Sequence, residues 1–224
     1  MTDPRPDGSI AVLFDLDGTL IDSIELILSS ARHAFAGWPR AVPTDADWVR
    51  GIGTPLVDQL RAYATDEAEV ALLLDRYRAH QREHHDRLTR CYDGVPSVIR
   101  DLFDGGHPLA VVTSKASALA RQSLGFVGLE RFFRAIVGFD DTTRHKPDPE
   151  PVRVALERLG IAREHAVFIG DSPYDILAGN AAGVTTVAAL WGPFDRDTLA
   201  AAQPDHFIAC MPELPGVLER AFGR

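Results

Sequence analysis

Short apolar runs recur along the chain, and each is followed by sequence with helical spacing. The runs at 10–15, 109–113, 135–139, 166–170, 184–189 and 206–210 are mostly aliphatic and aromatic. Runs this short, without polar alternation, read as strands buried on both faces of a parallel sheet. Residues 116–126, 149–159 and 173–182 read as helices between them. Alternating strands and helices predict an α/β fold with a doubly wound, Rossmann-like parallel-sheet core.

The stretch between the first two strands is too long for a simple crossover. It reads as helical throughout. Residues 24–36 form one expected helix, broken at Gly37-Trp38-Pro39. Residues 55–64 form a second, with Thr54 as N-cap and Pro55 at the first helical position. Residues 67–88 form a long, charged, amphipathic third. The expected organisation is an α/β core of residues 1–21 and 93–224, with an inserted all-helical cap domain at 22–92 over the carboxyl edge of the sheet. The crossings near 20–23 and 90–94 are candidate hinges.

A chain of 224 residues is long enough for such a core plus a smaller unit. The net charge of −9 argues against nucleic acid or an anionic membrane as a partner. Two cysteines, Cys91 and Cys210, make a disulfide scaffold improbable and fit a reducing compartment. Residues 1–8 are polar and do not form a signal peptide, and no apolar run is long enough to span a bilayer. A cytoplasmic location is expected.

Chemistry concentrates at the ends of the expected strands. Asp15 and Asp17 sit where the first strand runs out into Gly18-Thr19. Residues i and i+2 of a strand point the same way, so the two carboxylates converge. The carboxyl end of a strand is also where open α/β sheets bind ligands. Two adjacent anions require a cation or a proton. The second strand ends in Thr113-Ser114-Lys115, whose hydroxyls and following N–H groups suit phosphate oxygens, with Lys115 flanking the site. Of 23 basic residues only Lys115 and Lys146 are lysines, and Lys146 precedes Pro-Asp-Pro at a helix start. Another strand ends in Asp171, followed by Ser172 as N-cap, Pro173, and Asp175 one turn on. Hard oxygen ligands with room for water suit Mg²⁺. Four carboxylates against Lys146 also require a divalent cation before an anionic phosphate could bind.

These four motifs, in order and across nearly the whole chain, resemble the haloacid dehalogenase superfamily, most of whose members are phosphatases. The resemblance implies Asp15 as nucleophile and Asp17 as the acid and base. It implies Thr113 as a phosphoryl holder and Lys146 as a neutralising charge. Mg²⁺ would be bound by Asp15, the Asp17 backbone carbonyl and Asp171, with Asp175 supporting. Residues 22–92 match the family's specificity-carrying cap. Asp17 separates this chain from the dehalogenases, which lack it. The cap has no lysine, unlike phosphonatases, and Ile27 stands where β-phosphoglucomutase-like mutases carry a histidine.

The chain as a whole resembles phosphoglycolate phosphatases and a bacterial inorganic pyrophosphatase branch, and strings such as Tyr77-Arg-Ala-His80 and Asp175-Ile-Leu-Ala-Gly179 look like the latter. The implied function is a Mg²⁺-dependent phosphatase acting on a small phosphorylated metabolite, phosphoglycolate phosphatase-like. A pyrophosphatase and a phosphomutase are the alternatives. The implied assembly is a monomer or homodimer. A non-enzymatic binding protein would be favoured by loss of Asp15 or Asp17, and both are present.

Three further readings concern the cap. Gly51 lies in the loop Arg50-Gly-Ile-Gly53, where glycines permit close approach to substrate. Arg50 either pairs with a substrate anion or is a solvated arginine beside a turn. His80, His84 and His85 share a helix face, but without a cysteine or fourth ligand they read as charged surface before zinc. Trp38, Trp48, Trp191 and Cys91 read as packing residues.

Overall fold

The computed structural model describes residues 10–223, so residues 1–8, read above as lacking a signal sequence, lie outside the described residues. Its strands are β1 (Ala11–Phe14), β2 (Ile21–Asp22), β3 (Arg90–Cys91), β4 (Leu109–Val112), β5 (Ala135–Val137), β6 (Ala166–Gly170), β7 (Thr185–Ala189) and β8 (His206–Ile208). Six of them form one sheet in the order β5-β4-β1-β6-β7-β8, all parallel. This is the expected doubly wound sheet.

β1 lies at the middle, with Phe14 opposite Val111 on one side and Ile169 on the other. Its alternate residues serve two cores. Val12 and Phe14 pack on one face and Ala11 and Leu13 on the other. Both faces are dry, which is why these strands show no polar alternation.

The insert contributes α1 (Ile24–Ala34), α2 (Asp45–Gly51), α3 (Leu56–Arg61) and α4 (Glu67–His84). They bury an apolar cluster of their own, including Phe35, Trp48, Leu60, Leu73 and Tyr77. Trp38, Trp48 and Tyr63 meet the Phe35 ring edge-on. Helices α5 (Val95–Asp104), α6 (Ser117–Phe126), α7 (Glu150–Leu159), α8 (Pro173–Ala182), α9 (Arg196–Ala201) and α10 (Leu214–Phe222) belong to the rest of the chain.

Some local expectations are corrected. The insert is not helical throughout: Ile21 pairs with Cys91 and Asp22 with Arg90 in an antiparallel ribbon. There the two crossings satisfy each other's backbone, and Arg90 adds an ion pair to Asp22. α3 starts at Leu56 with Pro55 as N-cap, and the Thr54 hydroxyl instead donates to the Gly51 carbonyl at 2.7 Å. α2 was not expected; it opens on a capping box in which Thr44 Oγ1 accepts from Asp47 N–H at 3.1 Å. α4 stops at His84, and the next residue, His85, turns onto the Ser123 hydroxyl of α6 at 2.9 Å.

Candidate active site

The first motif folds around a carboxylate 152 positions away in sequence. The Asp15 N–H donates to the Ile169 carbonyl at 2.9 Å, which ends β1 beside β6. Gly18 then turns at φ 88°, and a side-chain carbon there would run into the Asp171 carboxylate. Glycine is required both for the backbone angle and for this approach. The Thr19 hydroxyl donates to Asp171 Oδ1 at 2.5 Å. On the other side, Ser172 and Asp175 form a capping box at the start of α8. The Ser172 N–H and hydroxyl both donate to Asp175 Oδ2, at 3.0 and 2.6 Å, which leaves Asp175 Oδ1 facing Lys146.

Lys146 is 3% exposed. Its Nζ lies 2.5 Å from Asp175 Oδ1 and 3.0 Å from Asp15 Oδ1. Asp15, Asp171 and Asp175 are buried together and can offer oxygens within 4.8 Å of one another. Three buried carboxylates therefore face one ammonium. Burial, and then the Asp175 charge, push Asp15 up to about 7 despite Lys146. Burial, followed by the Asp15 and Asp175 charges, likewise holds Asp171 well above the usual carboxylate range. Burial disfavours the Lys146 charge, but attraction to Asp15 and Asp175 outweighs it and raises its pKa.

Two oxygens of the cluster, Asp15 Oδ1 and Asp171 Oδ2, receive no directed hydrogen bond, the first despite its ion pair with Lys146. Unpartnered buried oxygens are costly, and an all-carboxylate donor set suits a hard divalent cation. The residues present fit such an ion.

Asp17 is bound differently. Its Oδ1 accepts from Lys115 Nζ at 2.6 Å and from the Ser23 hydroxyl at 2.5 Å. Lys115, expected only to flank the site, is thus its main partner. Thr113 is buried, and its Oγ1 accepts from the Lys115 N–H at 3.2 Å. The Ser114 hydroxyl donates to the Gly53 carbonyl at 2.6 Å, tying the insert to the core.

Asp15, Asp17, Thr113, Ser114 and Lys115 line one wall of a cavity, and Ile27, Trp48, Gly53 and Tyr77 line the wall contributed by the insert. Ile27 therefore sits at the cavity, as its alignment with the mutase histidine position anticipates. Arg50 does not line the cavity. Its side chain is 69% exposed and pairs with Asp47 one turn earlier. Gly51 also lies outside the lining, where Gln59 packs against its Cα, and the loop presents Gly53 and Thr54 instead.

His80 meets the rings of His33 and His84, at 5.0 and 4.2 Å. Among the described residues the aspartate trio alone gathers as a metal-type group. The Trp191 indole N–H donates to the Thr19 carbonyl at 3.1 Å, which adds a hydrogen bond to its packing role. Sequence reasoning missed Thr19, Ser23, Tyr77 and Arg78. Thr19 lay inside the first motif, and Tyr77 and Arg78 lay inside a string already singled out.

A parallel α/β sheet with this buried carboxylate centre under a helical insert defines a hydrolase-type enzyme. The model of the haloacid dehalogenase-like hydrolase family matches residues 12–189, and the chain belongs to that family. It is a phosphoric ester hydrolase of that family. The pyrophosphatase PpaX of Halalkalibacterium halodurans is 38% identical over 203 residues, covering 91% of this chain and 94% of its own. The crystal structure of a predicted phosphatase from Clostridium acetobutylicum superposes with a TM-score of 0.82 at 29% identity, covering 94% of this chain and 99% of its own. A predicted phosphoglycolate phosphatase from Haemophilus somnus shares the fold, with a TM-score of 0.85 at 23% identity over 95% of this chain and 99% of its own. Among the described residues no helix is long and apolar enough to cross a membrane.

Proposed function

We propose that the enzyme is a Mg²⁺-dependent phosphatase that cleaves a small phosphomonoester through an aspartyl-phosphate on Asp15. One observation carries the reading: Asp15 lines the cavity at the end of the central strand, beside two further buried carboxylates and a single buried ammonium. Asp15, the Asp17 carbonyl and Asp171 would hold Mg²⁺, with Asp175 in support. When bound, Mg²⁺ would lower the charge repulsion between these carboxylates and the incoming phosphate.

An Asp15 oxygen attacks phosphorus, and the bond from phosphorus to the ester oxygen breaks. Asp17 gives a proton to the leaving oxygen, then takes one from the water that attacks the aspartyl-phosphate. Phosphate leaves and Asp15 is restored. The Thr113 hydroxyl and the Ser114 backbone N–H hold phosphoryl oxygens, the Ser114 hydroxyl staying on the Gly53 carbonyl, and Lys146 keeps Asp15 oriented and partly neutralised. Lys115 Nζ and the Ser23 hydroxyl hold the Asp17 carboxylate in place at the cavity wall.

An apolar wall that includes Ile27, Trp48 and Ile52 suits a carbon-bearing leaving group. Ile27 cannot move a proton, which supports hydrolysis over mutase chemistry. A pyrophosphatase is the second reading, favoured by 38% identity to PpaX. In this proposal residues 22–92 act as the cap over a core of 1–21 and 93–224. Two free cysteines fit the cytoplasm.

Phosphate release from an aryl phosphate should require Mg²⁺ and fall at least about 10³-fold in Asp15→Asn. Full activity in that variant would sink the mechanism. A panel of phosphoglycolate, pyrophosphate and hexose phosphates then ranks the substrates.

A further inference from the structure

The cavity wall opposite the carboxylates carries polar groups that the mechanism leaves unused, Tyr77 and Arg78 among them. Leu74, Tyr77, Arg78 and Gln81 all line it from α4. Their spacing of three, four and seven positions places them on one helix face. Tyr77 is 3% exposed, and its hydroxyl has no hydrogen-bond partner among the described residues. Its ring is held by Trp48, with centroids 6.2 Å apart. Burial, and then the Asp17 charge, drive its phenol above the ordinary range, so Tyr77 is a neutral donor close enough to feel Asp17.

Among the described residues Arg78 is unpaired, as is Arg82 on the same helix, but Arg78 lines the cavity and Arg82 does not. Arg32, Arg40, Arg50, Arg61 and Arg90 are tied to carboxylates, and Arg76 donates to the His33 and Ala36 carbonyls. The cavity's Lys115 is taken by Asp17. Arg78 is exposed at the cavity rim and has no ion-pair or hydrogen-bond partner among the described residues. The Tyr77 hydroxyl, carried on a buried ring and open to the cavity, and the exposed, unpaired Arg78 guanidinium at its rim lie on one face of one helix. Between it and Asp15 the lining is largely apolar, with Ile27, Ile52, Leu119 and Phe139 among its members.

We propose that Tyr77 and Arg78 bind the leaving portion of the substrate, and that this portion carries a second anionic group for the Arg78 guanidinium. The inference rests on the phosphatase reading above. It moves the specificity role from Arg50, which the structure pairs with Asp47, to α4. The substrate class is an organic phosphomonoester with a carboxylate or second phosphate at its far end. Guanidinium pairs with either anion in a two-pronged hydrogen bond.

The test compares matched esters on the Mg²⁺-loaded enzyme. Phosphoglycolate is paired with ethyl phosphate, and propanediol bisphosphate with propyl phosphate, so that each pair differs by one anion. Wild type should prefer the anionic member of at least one pair in kcat/KM, and that pair names the anion. Arg78→Gln should shrink that preference by about 10- to 100-fold, chiefly through KM. Tyr77→Phe keeps the ring on Trp48 and should raise KM for both members by about 3- to 10-fold. Equal losses on both members in Arg78→Gln, or no loss, would overturn the Arg78 assignment, and an unchanged KM in Tyr77→Phe would overturn that of Tyr77. If wild type releases phosphate from none of these esters, nor from an aryl phosphate, the phosphatase reading itself fails.

Discussion

The two lysines of the chain each hold one aspartate of the first motif, in very different surroundings. The Lys146 and Asp15 side chains are 1% and 6% exposed, with Asp171 and Asp175 crowded beside them. The Lys115 and Asp17 side chains stand at the cavity wall, 10% and 13% exposed, and the Ser23 hydroxyl is the other partner of Asp17. The deep region sets one positive charge against three negative; the shallow one is balanced. A charge-starved interior suits a bound cation, whereas a balanced and reachable pair suits a carboxylate that gives and takes protons. The same residue pairing thus serves two purposes, decided by what else is buried with it.

Removing the two lysines separately should break the comparison most sharply. Lys146→Met strands three buried carboxylates, and at pH 8 without metal it should cost about 3–5 kcal/mol in denaturant melts. The second effect concerns pH. The native state holds Asp15 up to about 7, and Asp171 is raised too, so it binds protons more tightly than the unfolded chain. The Asp15 contribution to stability is complete below about pH 4, near the unfolded carboxylate range, and is lost as pH rises through about 7, with Asp171 acting in the same direction. Metal-free enzyme should lose on the order of a few kcal/mol over that window. Mg²⁺ competes with those protons, so it should raise the melting temperature more at pH 8 than at pH 5. A metal-induced shift that ignores pH would show that the deep carboxylates are not the ligands.

A smaller effect of opposite sign is expected from Asp171→Asn. The amide oxygen can still accept the Thr19 hydroxyl, while one buried negative charge disappears. The metal-free protein should gain roughly 1–3 kcal/mol. The stabilisation by Mg²⁺ should vanish with it, as read by calorimetry. Smallest is Lys115→Met, which leaves Asp17 with Ser23 and some solvent and should cost about 1 kcal/mol. If Lys115→Met costs as much as Lys146→Met, the two regions do not differ as argued.

The core was legible because β1, β4, β5 and β6 are buried on both faces, so every residue in them is apolar. The ribbon of Ile21–Asp22 with Arg90–Cys91 was not, since two residues carry no period. α5 repeats buried residues at Val95, Val98, Ile99 and Leu102, a readable helical stripe that went unread. At the site, Asp15, Asp171 and Lys146 were legible from strand ends and motif context. The partnership of Lys115 with Asp17 was not, because the two are 98 residues apart and meet only once β4 lies beside β1. Arg50 misled for a local reason. Asp47, three residues earlier on the same helix, offered it a nearer anion. Tyr77 and Arg78 could be assigned to the cavity only when the face of α4 was known.

The most direct measurement for Asp15 as nucleophile is chemical trapping during turnover. Enzyme working on an aryl phosphate with Mg²⁺ is quenched and treated with borohydride, which reduces an aspartyl-phosphate to homoserine. Peptide mass spectrometry should then find homoserine at position 15 and unchanged aspartate at position 17. Turnover with Asp15 intact, or with another carboxylate reduced, would contradict the assignment.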